Sequence, residues 1–398
     1  MKISRTASRI SGSAVMEVVG RAEQLRAQGA DIISFAIGEP DFQTPAFIRE
    51  AGKRAIDEGK TRYSPGAGVM DLRRAIAAKL QRENGLAYGP EQVMVAVGAK
   101  NALYQALMAI VDPGREVLLP APYWVTYPEM IKVAGAVPRI IPTREADGFK
   151  LRPEDLAKAV TPDCAAIILN SPNNPGGFYY RREEWVALGR VIEKTSIAVI
   201  SDEVYEKLVF DPPGSFTSFA AAAPALADRT VTINGFSKSY CMTGWRVGYA
   251  AGPREVIEAM SRIQSQVSLG TATFCQAAAV SALRDGDAEV ERMREEFTRR
   301  ARHIYQRIKK IPGITCVEPT GAFYVFPNVG GFYSKLGVKG SLEFCRLLLE
   351  KAGVACVPGE CFGMDDHVRL SFATSMENID KGMDRIETFF TTGFITWL

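Results

Sequence analysis

Residues 230–250 read Thr-Val-Thr-Ile-Asn-Gly-Phe-Ser-Lys-Ser-Tyr-Cys-Met-Thr-Gly-Trp-Arg-Val-Gly-Tyr-Ala. The β-branched run at 230–233 predicts a buried strand, Asn234-Gly235 breaks it, and the small residues that follow deliver Lys238 just beyond the strand end. An amine placed there becomes nucleophilic when burial or nearby cations lower its pKa, which suits Schiff-base chemistry. Arg246 follows eight positions later. An always-charged guanidinium near the amine disfavours the ammonium and can hold a phosphate. The ordinary alternative is a loop lysine solvating its charge beside a structural arginine, so the surrounding chain has to decide.

Working outward, four more apolar runs end in chemistry-bearing residues. The run 93–97 enters Gly98-Ala99-Lys100-Asn101, with a helix predicted over 102–111; free amides at a helix start favour an anion. The G-x-G-x-x-G dinucleotide spacing is absent at this junction, which argues against a dehydrogenase. The run 116–119 leads to Trp124, a flat indole able to stack on a planar ring, worth roughly 0.5–1.5 kcal/mol beyond burial. The run 165–169 opens the rigid loop Asn170-Ser-Pro-Asn-Asn174-Pro-Gly-Gly177. The run 197–201 ends at Asp202, with Tyr205 three positions on. A carboxylate at the end of an apolar strand is costly without a partner, and a protonated pyridine nitrogen would be one. Strands alternating with helices predict a doubly wound α/β sheet with Gly98, Trp124, Asn174, Asp202 and Lys238 at its carboxyl rim, where such sheets bind ligands.

The flanks predict the rest. A helix ending at Gly29 and a strand over 31–37 lead into the turn Gly38-Glu-Pro-Asp41. A helix over 46–59, a glycine-rich loop 60–68 carrying Tyr63 and a helix over 72–80 follow, and 220–227 reads as a surface-type run. From about 290 a charged helix, strands at 322–326 and 368–372 and a helix at 342–352 predict a small α+β unit. The expected organisation is an arm and part of the small domain at 1–45, a large domain at 46–289 and the small domain at 290–398. Arg369 falls in a strand, and a buried strand arginine needs an anion; its fork fits a carboxylate. Glu203 and Glu206 read as structural, His303 as a surface residue, and His367 as a neighbour of Arg369 that could line a pocket.

Composition narrows the classes. The 398 residues are 47% hydrophobic with a formal net charge of +3 and no basic blocks, so neither nucleic acid nor a membrane surface is an expected partner. Seven cysteines without a C-x-x-C pair and only two histidines argue against a metal site, a disulfide framework or a Ser-His-Asp hydrolase. The cytoplasm is the default compartment.

Gly235-Phe-Ser-Lys238, with Met242, Gly244, Arg246 and Gly248, resembles the lysine signature of class I pyridoxal-phosphate aminotransferases of fold type I. The resemblance spans about 13–380, with further motifs at Gly38-Glu-Pro-Asp41, Tyr63, 121–128, 170–177, 201–206 and 369–373 in the family's order. The string at 121–128 is similar to the aspartate-aminotransferase-like branch. The resemblance implies that Lys238 holds pyridoxal 5'-phosphate as an internal aldimine and shuttles the substrate proton. Asp202 would pair with the pyridine nitrogen, and Tyr205 and Asn174 with the phenolic oxygen. Trp124 would stack on the ring. Gly98, Ala99, Lys100, Ser237 and Arg246 would cradle the phosphate, with Tyr63 reaching it from the second subunit of a homodimer. Gly38 and Arg369 would meet the substrate carboxylate, beside Trp124 and Asn174.

The expected reaction is transamination between aspartate and 2-oxoglutarate; an aromatic amino acid or prephenate is the alternative substrate, and a C-S lyase the more distant one. Four departures stand out. Cys241 replaces a smaller residue, and Gly176 replaces a threonine and is expected to loosen its loop. Where related aspartate enzymes hold the distal carboxylate with a Ser-x-Thr pair and a Lys after the phosphate glycines, this chain keeps Ser13 and Lys100 but has Val15, and Ser-Leu-Gly-Thr at 268–271 replaces an S-N-P segment.

Overall fold

The structure is a computed structural model that describes residues 1–12, 14–212 and 215–392. After a two-residue strand, Ile33–Ser34 (β1), the chain lays down one seven-stranded sheet: Val93–Val97 (β2), Glu116–Pro120 (β3), Val137–Ile141 (β4), Cys164–Asn170 (β5), Ala198–Asp202 (β6), Thr230–Gly235 (β7) and Val247–Ala251 (β8). Their spatial order is β2-β8-β7-β6-β5-β3-β4. All neighbours are parallel except those of β8, which runs antiparallel to both β2 and β7. Because β8 is inserted in reverse, β2 still points the same way as β7, and its carboxyl end joins the common rim.

Both sheet faces are buried, as parallel sheets require. Strand alternation divides the side chains: Met94, Ala96, Ile168, Ile200 and Ile233 meet the helices Gly98–Ile110 and Arg254–Val267. Val93, Val95, Val247, Tyr249 and Ala251 turn to the other face, against Ile48, Leu72, Ile76 and Ala278. Each such Val, Ile, Leu or Met side chain, fully buried, contributes about 1.5–3 kcal/mol.

The remaining core gathers on the long helix Asp287–Ile308, where Phe297, Ala301, Ile304 and Ile308 face Tyr324–Val325 (β9), Val368–Ser371 (β12) and the helices Ser341–Ala352 and Met376–Thr392. Between them lie Val354–Ala355 (β10) and Val357–Pro358 (β11). β12 is central to a three-stranded antiparallel unit, between β11 and β9. β1 pairs in parallel with β10, Ile33 opposite Val354, so the start of the chain is built into this second core.

Several expectations change. The strand foreseen over 31–37 is regular only at Ile33–Ser34, because the extended chain changes partner: Phe35 N–H donates to Ala355 O at 2.8 Å, while Phe35 O accepts from Ser371 N–H at 2.8 Å. The helix after β2 begins at Gly98 and not at 102, since Gly98 turns the chain in one residue at φ +77°. The run 220–227 is only partly surface: Pro224 and Ala225 are exposed, but Ala220, Ala222, Ala223 and Leu226 are buried beside Phe219, which packs edge-on to Trp185 at 5.3 Å. Nor is the loop around Gly176 loose; residues 170–180 are buried throughout, and Gly176 N–H donates to Asn173 Oδ1 at 2.8 Å. Cys241 is accepted at φ +52°, buried with its sulfur 3.2 Å from Met293 Sδ. Ser13 lies outside the described residues.

Candidate active site

The carboxyl ends of β2, β3, β5, β6 and β7 open onto a cavity of about 420 Å³, closed on its far side by Gly38, Tyr324 and Arg369 of the second core. Ala99, Lys100, Trp124, Asn174, Asp202, Tyr205, Ser237, Lys238 and Arg246 line it together. Gly98 stands just behind Arg246: a Cβ there would come within 2.4 Å of the guanidinium, so only glycine lets the arginine lie across the helix start.

Lys238 reaches out of the loop after β7 and donates from Nζ to Gly38 O at 2.6 Å. Burial is the chief reason its pKa falls to about 8; the Glu39 carboxylate opposes the shift, and Arg369 and Arg246 reinforce it. At neutral pH the free amine a nucleophile requires is therefore a minority form, about one in ten, but far more abundant than for a solvated lysine. Asp202 is buried at the end of β6, accepts from Tyr127 Oη at 2.7 Å and from Val204 N–H at 3.3 Å, and has its pKa raised to about 6 by burial. Asn170 fastens this floor: its amide nitrogen donates to Asp202 O at 3.0 Å and its oxygen accepts from Asn174 N–H at 3.0 Å.

Arg369 is 3% exposed. It donates from Nη1 to Asn174 Oδ1 at 3.0 Å and from Nη2 to Ala36 O at 2.6 Å, while its Nε lacks a hydrogen-bond partner among the described residues. A buried guanidinium with unspent donors facing a cavity is a seat for an anion. Because Arg369 occupies the Asn174 oxygen, the amide nitrogen of Asn174 remains as a donor. Arg246 donates from Nη1 to Thr243 O at 2.8 Å, and the Thr243 hydroxyl bonds Glu39. Lys100 Nζ sits 4.8 Å over the Trp124 ring.

Tyr63 is the one candidate that does not join this group. It is 88% exposed and borders a separate surface hollow with Arg54, Lys60 and Arg284. Conversely, the cavity includes residues that the sequence reading did not single out for the site: Tyr127, Asn170, Glu39, Thr243 and Tyr324. Tyr127 had a local signal, three residues after Trp124 at the start of a helix; Tyr324 had only a polar tip in an otherwise apolar strand.

Of the other residues weighed, Glu206 ion-pairs with buried Lys79, and Glu203 accepts from Ser201, Ser218 and Phe219 N–H, both structural. His303 bonds Asp380 at 2.5 Å on the helix surface. His367 is buried, stacked on Phe326 at 4.9 Å, with Glu145 at 3.5 Å, and does not line the cavity.

A mostly parallel sheet carrying a free amine and an anion seat at its carboxyl rim marks the chain as a group-transfer enzyme of the aminotransferase type. Comparison with known proteins agrees. The model of the family "Aminotransferase class I and II" matches residues 30–386. An aspartate aminotransferase of Geobacillus stearothermophilus is 43% identical over 389 residues, covering 98% of this chain and 99% of that protein. An aspartate/prephenate aminotransferase of Cereibacter sphaeroides is 44% identical, covering 97% and 98%. The solved structure of Thermus thermophilus aspartate aminotransferase with maleate superimposes with a TM-score of 0.92 at 41% identity, over 97% of this chain and 99% of that one. The chain belongs to the class I and II aminotransferase family, and it is an aminotransferase.

Proposed function

We propose that the enzyme transfers the amino group of aspartate to 2-oxoglutarate with pyridoxal phosphate as cofactor, in a homodimer whose sites are shared. The observation that carries this reading is the pair of cations left to a substrate across one cavity: Arg369, with unspent donors, and Lys100 over Trp124. Two cations suit a substrate with two carboxylates.

The residues present fit the cofactor. Asp202 is a buried acid with no cationic partner in hydrogen-bond reach among the described residues, a place matched by a protonated pyridine nitrogen. The start of the Gly98–Ile110 helix, with Ser237 and Arg246, offers amides, a hydroxyl and a fixed charge to a phosphate. Trp124 provides a flat wall, and Asn174 and Tyr205 provide donors for a phenolic oxygen. When bound, pyridoxal phosphate supplies an electron-poor ring that accepts the electron pair released at the substrate α-carbon.

The chain's own residues do the rest. Arg369 grips the α-carboxylate, with the Gly38 turn beside it, and so fixes the direction of the α-hydrogen. Lys238 Nζ, unprotonated in part near neutral pH, takes that proton and returns it at the end of the transfer. Asp202 holds its negative charge against the ring nitrogen, with Tyr127 and Val204 fixing its orientation. Tyr63, directed away from its own cavity, would complete the phosphate seat of the second subunit. The division into 1–45, 46–289 and 290–398 belongs to the same reading, since β1 pairs with β10. The absence, among the described residues, of a helix long and apolar enough to cross a membrane is consistent with cytoplasmic operation.

Val15 favours a second substrate class: an apolar side chain lines the cavity where a hydroxyl would assist a distal carboxylate, which suits an aromatic amino acid or prephenate. An amino-donor panel with 2-oxoglutarate separates these. Aspartate is expected to give the highest kcat/KM; a higher value for phenylalanine or arogenate would transfer the assignment to the aromatic class. Pyruvate release from cysteine conjugates without amino transfer would indicate a lyase.

A further inference from the structure

Tyr324 is fully buried at the point where three parts of the site meet. Its hydroxyl is 2.8 Å from the Tyr205 hydroxyl, and its ring lies 4.6 Å from the Arg369 guanidinium carbon. The same hydroxyl crowds the Gly38 turn so closely that a Cβ on Gly38 would stand 2.7 Å away. Its chain neighbour Phe323 packs edge-on to Tyr205 at 5.4 Å and tilted on Phe297 at 5.4 Å, with Lys238 Nζ 5.6 Å over its ring, and has no hydroxyl to bond Tyr205. Arg369 spends two donors on Asn174 and Ala36, and those two bonds leave its plane free to tilt unless a face supports it; the Tyr324 ring is the nearer support at 4.6 Å, with Phe362 at 5.2 Å.

We propose that Tyr324 is a positioning residue with two separable tasks: its ring fixes the plane in which Arg369 receives a carboxylate, and its hydroxyl fixes the Tyr205 phenol. The inference rests on the roles of Arg369 and Tyr205 given above. Tyr324→Phe removes the hydroxyl but keeps the ring, whereas Tyr324→Leu removes both. The two tasks therefore predict different patterns.

The test uses the cofactor-loaded enzyme and succinate, an unreactive dicarboxylate, with affinity measured by calorimetry beside kcat and the pH titration of the bound cofactor's visible absorbance. Tyr324→Phe is expected to bind succinate within about 2-fold of the parent while kcat falls about 10-fold and the absorbance titration shifts. Tyr324→Leu is expected to weaken succinate about 10-fold as well. Should Tyr324→Leu fold poorly, the Tyr324→Phe and Tyr205→Phe double-mutant cycle carries the decision: the paired substitution costs little more than either alone if the hydroxyls act together. Additive losses in that cycle, or equal losses of succinate affinity and kcat in Tyr324→Phe, overturn the proposal. Succinate binding that survives Arg369→Ala would overturn the carboxylate seat itself, and the ring's task with it.

Discussion

The floor of the cavity and its mouth are built on different terms. At the floor, Asp202, Asn170, Asn174 and Arg369 are buried and joined to one another or to the backbone by hydrogen bonds of 2.6–3.3 Å. At the mouth, Lys100 and Arg246 are exposed and Val15 is half-buried, whereas Leu269 and Tyr63 project from the surface outside this cavity, Leu269 at φ +56°. Burial makes the floor intolerant, because each group there has a specific partner and no water to replace it. The mouth can vary with substrate, and on the proposed homodimer Tyr63 would be supplied to it by the second subunit.

The largest effect that can break this contrast is at the floor. Lys238→Met is expected to lower single-turnover transamination by at least about 10³-fold. The same substitution makes a stability prediction of opposite sign. Burial depresses the Lys238 pKa from 10.5 to about 8, so between those values the unfolded chain binds more protons and stability rises with pH. The full cost of burying the charge is therefore borne below pH 8. Cofactor-free Lys238→Met is expected to exceed the parent by up to on the order of 3 kcal/mol at pH 7 in urea melts, the gap closing by pH 10.5. An unchanged gap across that range would mean that the amine is solvated.

At the mouth the effects are smaller. Tyr63→Phe is expected to weaken cofactor binding by about 10-fold in fluorescence titration, as for one lost hydrogen bond to a phosphate. Mixing it with Lys238→Met should restore a tight, active site in the hybrid dimer; failure to complement would place Tyr63 outside the site altogether. The smallest expected change is Val15→Thr, which is expected to raise the kcat/KM preference for aspartate over phenylalanine by about 5-fold, the worth of about one neutral hydrogen bond. No change in that ratio would show that residue 15 does not touch the side-chain pocket.

The same contrast explains what could be read without coordinates. Each rim group follows a buried strand, and the strand ends are marked by residues that cannot continue one: Gly98, Asn170 and its prolines, Asp202, and Asn234-Gly235. The reversal of β8 was not legible, since Val-Gly-Tyr-Ala-Ala at 247–251 carries no sign of direction, and its place between β2 and β7 depends on pairing alone. β4, with Val137 and Ile140 partly in solvent, lacked the apolar run that marked its neighbours. Tyr324 and Tyr127 escaped notice for another reason: an aromatic in a core needs no special explanation, and only the hydroxyl contacts to Tyr205 and Asp202 give them a task. The partial burial of 220–227 was hidden by alanines, which fit either environment.

The pairing of Ile33 with Val354, together with the bond from Arg369 to Ala36, has a consequence for biosynthesis. Residues 33–36 receive these neighbours only when residues 354–369 have left the ribosome. The strands that end at the rim, residues 93–251, are all made earlier. A nascent chain would thus hold the residues proposed to cradle the cofactor before it has the proposed hold on an amino acid.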